Sequence, residues 1–269
     1  MECRIGDAEL RYVEHGAGRA VLVLHGAGVD HREVESCFEP ALSAYGGLRR
    51  IYLDLPGMGE SSAPESLRSA DDVLAMLVAF VDEIVGDEAV LLVGHSAGGY
   101  YGQGFTAQQP DRVAGLALIC PLLAGVRDVP GHHPVVAGGD LGDEAFRAYF
   151  VVQTPAMFER YQRFVAPAVR LADAAAAARI GERWELTVPR GRVYDGAVLV
   201  VAGRQDSTVG YAAACDLLDH YPRATFAVLD GAGHALPHEQ PELLAGLLRE
   251  WLTRTGTSAG AKPAASSAG

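Results

Sequence analysis

The chain has 269 residues, 49% of them hydrophobic, and a formal net charge of −12. That length suits one large α/β domain, or one domain with a modest insertion, and the apolar half is enough for a substantial core. The acidic balance argues against nucleic acid and against an anionic membrane surface, both of which attract Lys and Arg. No apolar run reaches the ~20 residues that span a bilayer. The first residues, Met1–Asp7, lack the charged-then-apolar pattern of a signal peptide, so a soluble, cytoplasmic protein is expected. Cys3, Cys37, Cys120 and Cys215 are widely spaced, which reads as free thiols in a reducing compartment rather than a metal or disulfide framework.

Taken in chain order, Cys3–Ile5 and Leu10–Glu14 show the weak alternation of an antiparallel edge hairpin. Six short runs apolar on both faces follow: Ala20–Leu24, Ile51–Leu53, Ala89–Val93, Leu116–Ile119, Ala197–Ala202 and Phe226–Leu229. Such runs fit parallel strands covered by helices on each side. Amphipathic helices are predicted over Ser69–Val85, with Ser69 as cap and Gly86 as stop, and over His238–Arg254. Alternating strands and helices predict an α/β fold: a doubly wound, mostly parallel eight-stranded sheet flanked by helices. The rhythm breaks between the sixth and seventh strands. Residues 121–192 hold loop signals, an aromatic-rich stretch from Phe146 to Phe164 and the alanine run Ala172–Ala178. This is more chain than one crossover requires, and it predicts a helical cap inserted into a core formed by residues 1–120 and 193–254. Residues 255–269 are small and polar, as in a disordered tail.

The run Ala89–Val93 leads directly into Gly94-His95-Ser96-Ala97-Gly98. A buried strand entering G-x-S-x-G marks a nucleophile elbow, where a strained turn lifts one hydroxyl clear of the sheet. Side chains at the two outer positions would strike neighbouring backbone, hence glycine. A serine needs a base, the base needs an orienting acid, and the oxyanion needs donors. His234 follows the last strand in the supple loop Asp230-Gly231-Ala232-Gly233 and is the candidate base. His238, beside Pro237 and Glu239, competes less well because it starts the terminal helix. Asp206, three residues past the seventh strand, is the candidate acid, and its other reading is the cap of a helix beginning near Ser207. Asp128, after the sixth strand, is the weaker alternative acid. The order Ser96…Asp206…His234 is that of an α/β sheet hydrolase. The oxyanion donors are expected at the N–H of Ala97, at a helix start, and of Ala27 in His25-Gly26-Ala27-Gly28. His25 is read as holding that loop, and Asp54 as tying the turn Asp54–Ser61. The charges Asp30-His31-Arg32-Glu33 read as solvated loop charge, with a substrate-carboxylate contact from Arg32 as the sharper option. Phe146, Tyr149, Phe150 and Phe158 are candidates for an apolar substrate pocket, against the alternative that they pack on one another.

These segments together resemble the α/β-hydrolase superfamily, in its capped serine branch, from about Leu10 to Leu252. The resemblance rests on His25-Gly26-Ala27-Gly28, Asp54–Ser61, Gly94–Gly99, Gly203-Arg204-Gln205-Asp206 and Gly231-Ala232-Gly233-His234. Ser96 stands where haloalkane dehalogenases and epoxide hydrolases carry aspartate, which disfavours those chemistries. The resemblance implies a hydrolase of a small to medium apolar ester, lactone or thioester. It works through an acyl-enzyme, on a small-molecule substrate, with no cofactor and no metal. The same superfamily hydrolyses carbon–carbon bonds in β-diketones and vinylogous keto acids with the same triad. Amide cleavage, perhydrolysis and acyl transfer to an alcohol are further variants. A reading from another class is a ligand-binding receptor that turns over slowly.

Overall fold

The computed structural model describes residues 1–125, 128–187 and 193–257. Eight strands form one sheet: β1 (Glu2–Ile5), β2 (Ala8–Gly16), β3 (Arg19–Leu24), β4 (Leu48–Leu53), β5 (Val90–His95), β6 (Val113–Ile119), β7 (Val198–Gly203) and β8 (Ala224–Leu229). Their order across the sheet is β1-β2-β4-β3-β5-β6-β7-β8. The β1–β2 and β2–β4 pairs are antiparallel, and every pair from β4 to β8 is parallel. The edge hairpin and the parallel body expected from the apolar runs are both present.

Alternation along the buried strands divides the core in two. Leu22, Leu24, Leu92, Val198 and Val200 face one side, where they meet Leu74, Leu77, Phe80 and Phe105 from α2 (Ala70–Val85) and α3 (Ala97–Gln108). Val21, Val23, Leu91, Val93, Leu199 and Val201 face the other. There they meet Val34, Phe38 and Leu42 of α1 (His31–Leu42) and a C-terminal helix carrying Leu244, Leu248 and Trp251. Helix α2 starts where the sequence indicates: the Ser69 hydroxyl accepts the Asp72 N–H at 3.2 Å, and Gly86, at φ 73°, ends it.

Between β6 and β7 the chain turns through short helices: α4 (Glu144–Tyr149), α5 (Pro155–Arg160), one π-helical turn (Tyr161–Val165), α6 (Ala166–Val169) and α7 (Ala174–Gly181). Asp143, Thr154 and Asp173 cap three of them through side-chain oxygens. Residues 126–127 and 188–192 of the expected cap lie outside the described residues. The expected helix over His238–Arg254 is two helices, α8 (Leu236–Glu239) and α9 (Pro241–Arg254). The break falls at Gln240, φ −130° and ψ 52°, because the residue before a proline is pushed out of the helical region. Thr255 and Thr257, placed in the tail by composition, close α9 with N–H bonds to the Trp251 and Leu252 carbonyls. The rest of that expected tail, 258–269, lies outside the described residues. None of the described helices is long and apolar enough to cross a membrane.

Candidate active site

The C-terminal ends of β3, β5, β7 and β8 deliver four loops to one edge of the sheet. Between β5 and α3 the chain reverses at Ser96, held at φ 53°, a left-handed conformation costing a non-glycine residue about 1–3 kcal/mol. The neighbouring backbone enforces it: the Ser96 N–H donates to the Ile119 carbonyl, while the Ser96 carbonyl accepts from Tyr100 and Leu122. The flanking glycines have the close contacts expected of them. A Cβ on Gly94 would lie 2.5 Å from the Gly98 carbonyl carbon, and one on Gly98 would lie 2.7 Å from the His25 carbonyl oxygen. Helix α3 thus starts in direct backbone contact with the end of β3. A Cβ on Gly26 would meet that of Ser96 at 3.2 Å, so the loop carrying Ala27 lies beside the serine. Ala97 is the first residue of α3, where a backbone N–H has no partner four residues back.

Ser96, His234 and Asp206 come together. The Ser96 Oγ lies 2.9 Å from His234 Nε2, and His234 Nδ1 lies 2.8 Å from Asp206 Oδ2. An acceptor-only carboxylate at Nδ1 requires the proton there, leaving the Nε2 lone pair toward the serine hydroxyl. Asp206 is fully buried, and Ser96 and His234 are 8% and 7% exposed. Burial alone would raise the Asp206 carboxyl. The His234 imidazole and the N–H groups of Val209 and Thr208 outweigh it and hold the group below its usual value. Those amides reach Asp206 Oδ1 at 2.9 Å each. The carboxylate therefore serves the turn and the histidine with different oxygens, although no helix begins at Ser207; the next helical turn starts at Ala212. His234 pairs with Asp206 and not with the alternative, Asp128.

His238 is fully buried away from this pair: its Nδ1 accepts from Arg160 Nε at 3.0 Å and lies 3.4 Å from Cys37 Sγ. His25 accepts the Leu55 N–H at Nε2, 2.9 Å, and its Nδ1 donates to the Gly26 carbonyl, 2.7 Å, fastening the loop as expected. Asp54 accepts the His31 and Glu60 N–H groups and pairs with the His31 ring, tying its turn.

The charges at 30–33 are not solvated loop. Asp30 caps α1 and pairs with Arg32, and both Asp30 and Glu33 are 1% exposed. The D-x-x-E spacing of a helix start, and the place of Glu33 on the stripe Val34, Cys37, Phe38, Leu42, are the signals in the sequence that point to this. Sequence reasoning missed Glu33 as a site neighbour, and Glu239 with it. The four aromatic candidates separate. Phe146 and Phe150 are wholly enclosed, ring against ring with Phe158 and Tyr161, so they line no open space in this conformation. Phe158 is half-buried and stacks on Tyr161. Tyr149 sets its ring edge-on to His234 and donates its hydroxyl to Glu33 at 2.7 Å. Two triads of potential metal donors occur among the described residues, His95–Cys120–His234 and Asp30–His31–Asp54. In both, principal donor atoms are already engaged: His234 by Asp206 and Ser96, and Asp54 by His31.

Residues 21–247 match the model of the alpha/beta hydrolase family, and the chain belongs to that family. Membership of that family, together with relatives named as hydrolases, places the chain in the hydrolase class. An alpha/beta superfamily hydrolase from Oenococcus oeni PSU-1 superposes with a TM-score of 0.86 at 25% identity, over 95% of this chain and 99% of that one. A 2-hydroxy-6-oxo-6-(2'-aminophenyl)hexa-2,4-dienoic acid hydrolase of Metapseudomonas resinovorans is 26% identical over 93% of this chain and 89% of its own length. The dihydrolipoyllysine-residue acetyltransferase component of the acetoin cleaving system of Cupriavidus necator is 36% identical. That match spans only 44% of this chain and 31% of the relative.

Proposed function

We propose that this chain is a serine hydrolase in which Ser96 is the nucleophile, His234 the general base and Asp206 the group that orients it. The observation carrying this reading is the unbroken path from Asp206 through His234 to Ser96, at 2.8 and 2.9 Å. His234 Nε2 takes the Ser96 proton as Oγ attacks a substrate carbonyl. The N–H groups of Ala27 and Ala97 hold the oxyanion. The leaving group departs with the proton from His234, and water repeats the sequence on the acyl-enzyme. The described helices between β6 and β7 act as a cap over this edge. Tyr149 and Phe158 face the substrate there, and Phe146 and Phe150 fix the shape behind them.

The first substrate class is an apolar ester, lactone or thioester. In its favour, arginines of the surrounding segments are already engaged: Arg32 by Asp30, Arg160 by His238, and Arg204 over the Tyr211 ring at 4.5 Å. A neutral substrate asks nothing of them. The second reading, hydrolysis of a carbon–carbon bond in a vinylogous keto acid, is favoured by the near full-length relative named for a hydroxy-oxo-dienoic acid. There the departing group is a stabilised carbanion that takes its proton from His234 on carbon, and the fragment left on Ser96 is released by water. Turnover of short aryl esters and of a hydroxy-oxo-dienoic acid, measured side by side, tests both. Faster ester cleavage upholds the first, faster dienoic acid cleavage the second. A Ser96→Ala variant with full activity on either overturns the common mechanism.

A further inference from the structure

Two core carboxylates grip the same short stretch of the segment between β6 and β7. Glu239, at the end of α8, accepts the Val151 and Val152 N–H groups at Oε1, 2.7 and 3.0 Å, and the Gly233 N–H at Oε2, 2.7 Å. Gly233 directly precedes His234. A Cβ on Gly233 would lie 2.8 Å from the Val151 side chain, so the histidine loop and the segment touch as well as share this carboxylate.

Glu33, on α1, accepts the Tyr149 hydroxyl at Oε1. It stands 3.6 Å from His95 Nδ1 through Oε2 and 3.6 Å from His238 Nε2 through Oε1. Glu33 Oε2, His95 Nδ1 and His238 Nε2 are enclosed without a hydrogen-bond partner, so charge rather than close hydrogen bonding joins Glu33 to His95. The His95 ring is tied in turn to the base: a carbonyl only accepts, so its Nε2–H donates to the His234 carbonyl at 3.0 Å. Burial would lower the His95 pKa, but the facing carboxylate overcomes it and raises the group, favouring the imidazolium. Each carboxylate therefore holds residues 149–152 on one side and the immediate neighbours of Ser96 or His234 on the other.

A carboxylate is acceptor-only, and both oxygens of Glu239 face backbone donors. An amide in its place can serve only one of the two arms, because its NH2 would meet an N–H. We propose that Glu239, with Glu33 as its counterpart, is a positioning residue that makes the seating of Tyr149–Val152 and the placement of His234 a single event. This rests on His234 being the base, as read above.

The test compares wild type, Glu239→Gln and Tyr149→Phe. In Glu239→Gln the reaction of Ser96 with a fluorophosphonate is expected to slow about 10- to 100-fold, since a misplacement of ~1 Å costs that order of rate. For an aryl ester the loss is expected in kcat more than in KM. Amide exchange at Val151 and Val152 is expected to accelerate, and the low-field proton resonance of His234 Nδ1 to move or broaden. Tyr149→Phe, which removes one hydroxyl from the other grip, is expected to show the same changes in weaker form. A wild-type labelling rate in folded Glu239→Gln overturns the proposal, as does slowed labelling with unchanged exchange at Val151 and Val152. If Glu239→Gln does not fold, Tyr149→Phe decides: slowed labelling together with faster exchange at Val151 and Val152 upholds the proposal, and any other result overturns it. Absence of label on Ser96 in the wild type would instead fault the reading of the serine. The His234 resonance, moved or unmoved in the variants, then decides the grip by itself.

Discussion

The sheet edge that carries Ser96 and the described helices between β6 and β7, which touch it through residues 149–152, are stabilised by different means. Residues 20–24 of β3, 90–93 of β5 and 198–203 of β7 are apolar and buried, and the loops of these strands meet backbone against backbone at Gly94 and Gly98. The segment between β6 and β7 contains helical runs of six to fifteen residues, the longest being α5, the π-helical turn and α6 end to end, and runs of that length are marginal alone. It depends on an aromatic cluster, on single capping side chains and on carboxylates reaching up from the core. The contrast is between a floor fixed by packing throughout and a segment fixed by one aromatic cluster and a few replaceable polar contacts.

Four substitutions break or sharpen this contrast. The largest effect is expected at the floor's centre: Ser96→Ala should cut turnover by about 10⁴-fold or more with the melting temperature nearly unchanged. Steady-state rates and calorimetry on the same sample check it, and comparable loss of stability would erase the distinction between reacting group and framework. Gly98→Ala comes next. The added methyl meets the Leu24 and His25 backbone, so a cost above about 2 kcal/mol, or outright failure to fold, is expected in denaturant titration.

In the segment between β6 and β7, Asp173→Ala removes the acceptor for the Ala175 and Ala176 N–H groups, both at 3.0 Å. It should cost only about 1 kcal/mol, with faster amide exchange confined to α7. Spread of that exchange into the strands would show the two regions to be one cooperative unit.

The smallest effect is a pH dependence. Burial opposes it, but the hydrogen bond and charge of Asp54 raise the His31 pKa. A raised pKa gives stability fully present below the unfolded histidine value and lost as pH rises through the folded one. The Asp54 carboxyl is depressed against burial by the same ring, and its share is lost as pH falls through its own lowered value. The stability difference between wild type and His31→Ala should therefore be largest near about pH 5–6 and shrink toward about pH 9 in urea titrations. A difference that grows with pH would contradict the pairing.

Legibility in the sequence follows the same division. Continuous apolar runs and glycine-flanked turns reveal the strands and the loops after β3, β5, β7 and β8, because local pattern and tertiary burial agree there. Ser96, Asp206 and His234 were legible as a set from order along the chain. Their meeting is tertiary, but the sheet that produces it leaves a periodic trace. Glu33 and Glu239 were not legible as neighbours of the site. Each looks like ordinary surface charge until α1 and α8 bury it against residues more than eighty positions away. The aromatics of 146–164 were visible as a group, yet a helical spacing does not say which rings turn inward. The split of the last helix at Gln240 could have been read from Pro241.

The left-handed backbone at Ser96 is locked by Ile119, Tyr100 and Leu122 before any other molecule arrives. An incoming compound therefore contributes nothing to building that turn. Both the hydroxyl and the imidazole are nearly shut off from solvent, so on the function proposed above a compound is selected by whether it can reach them.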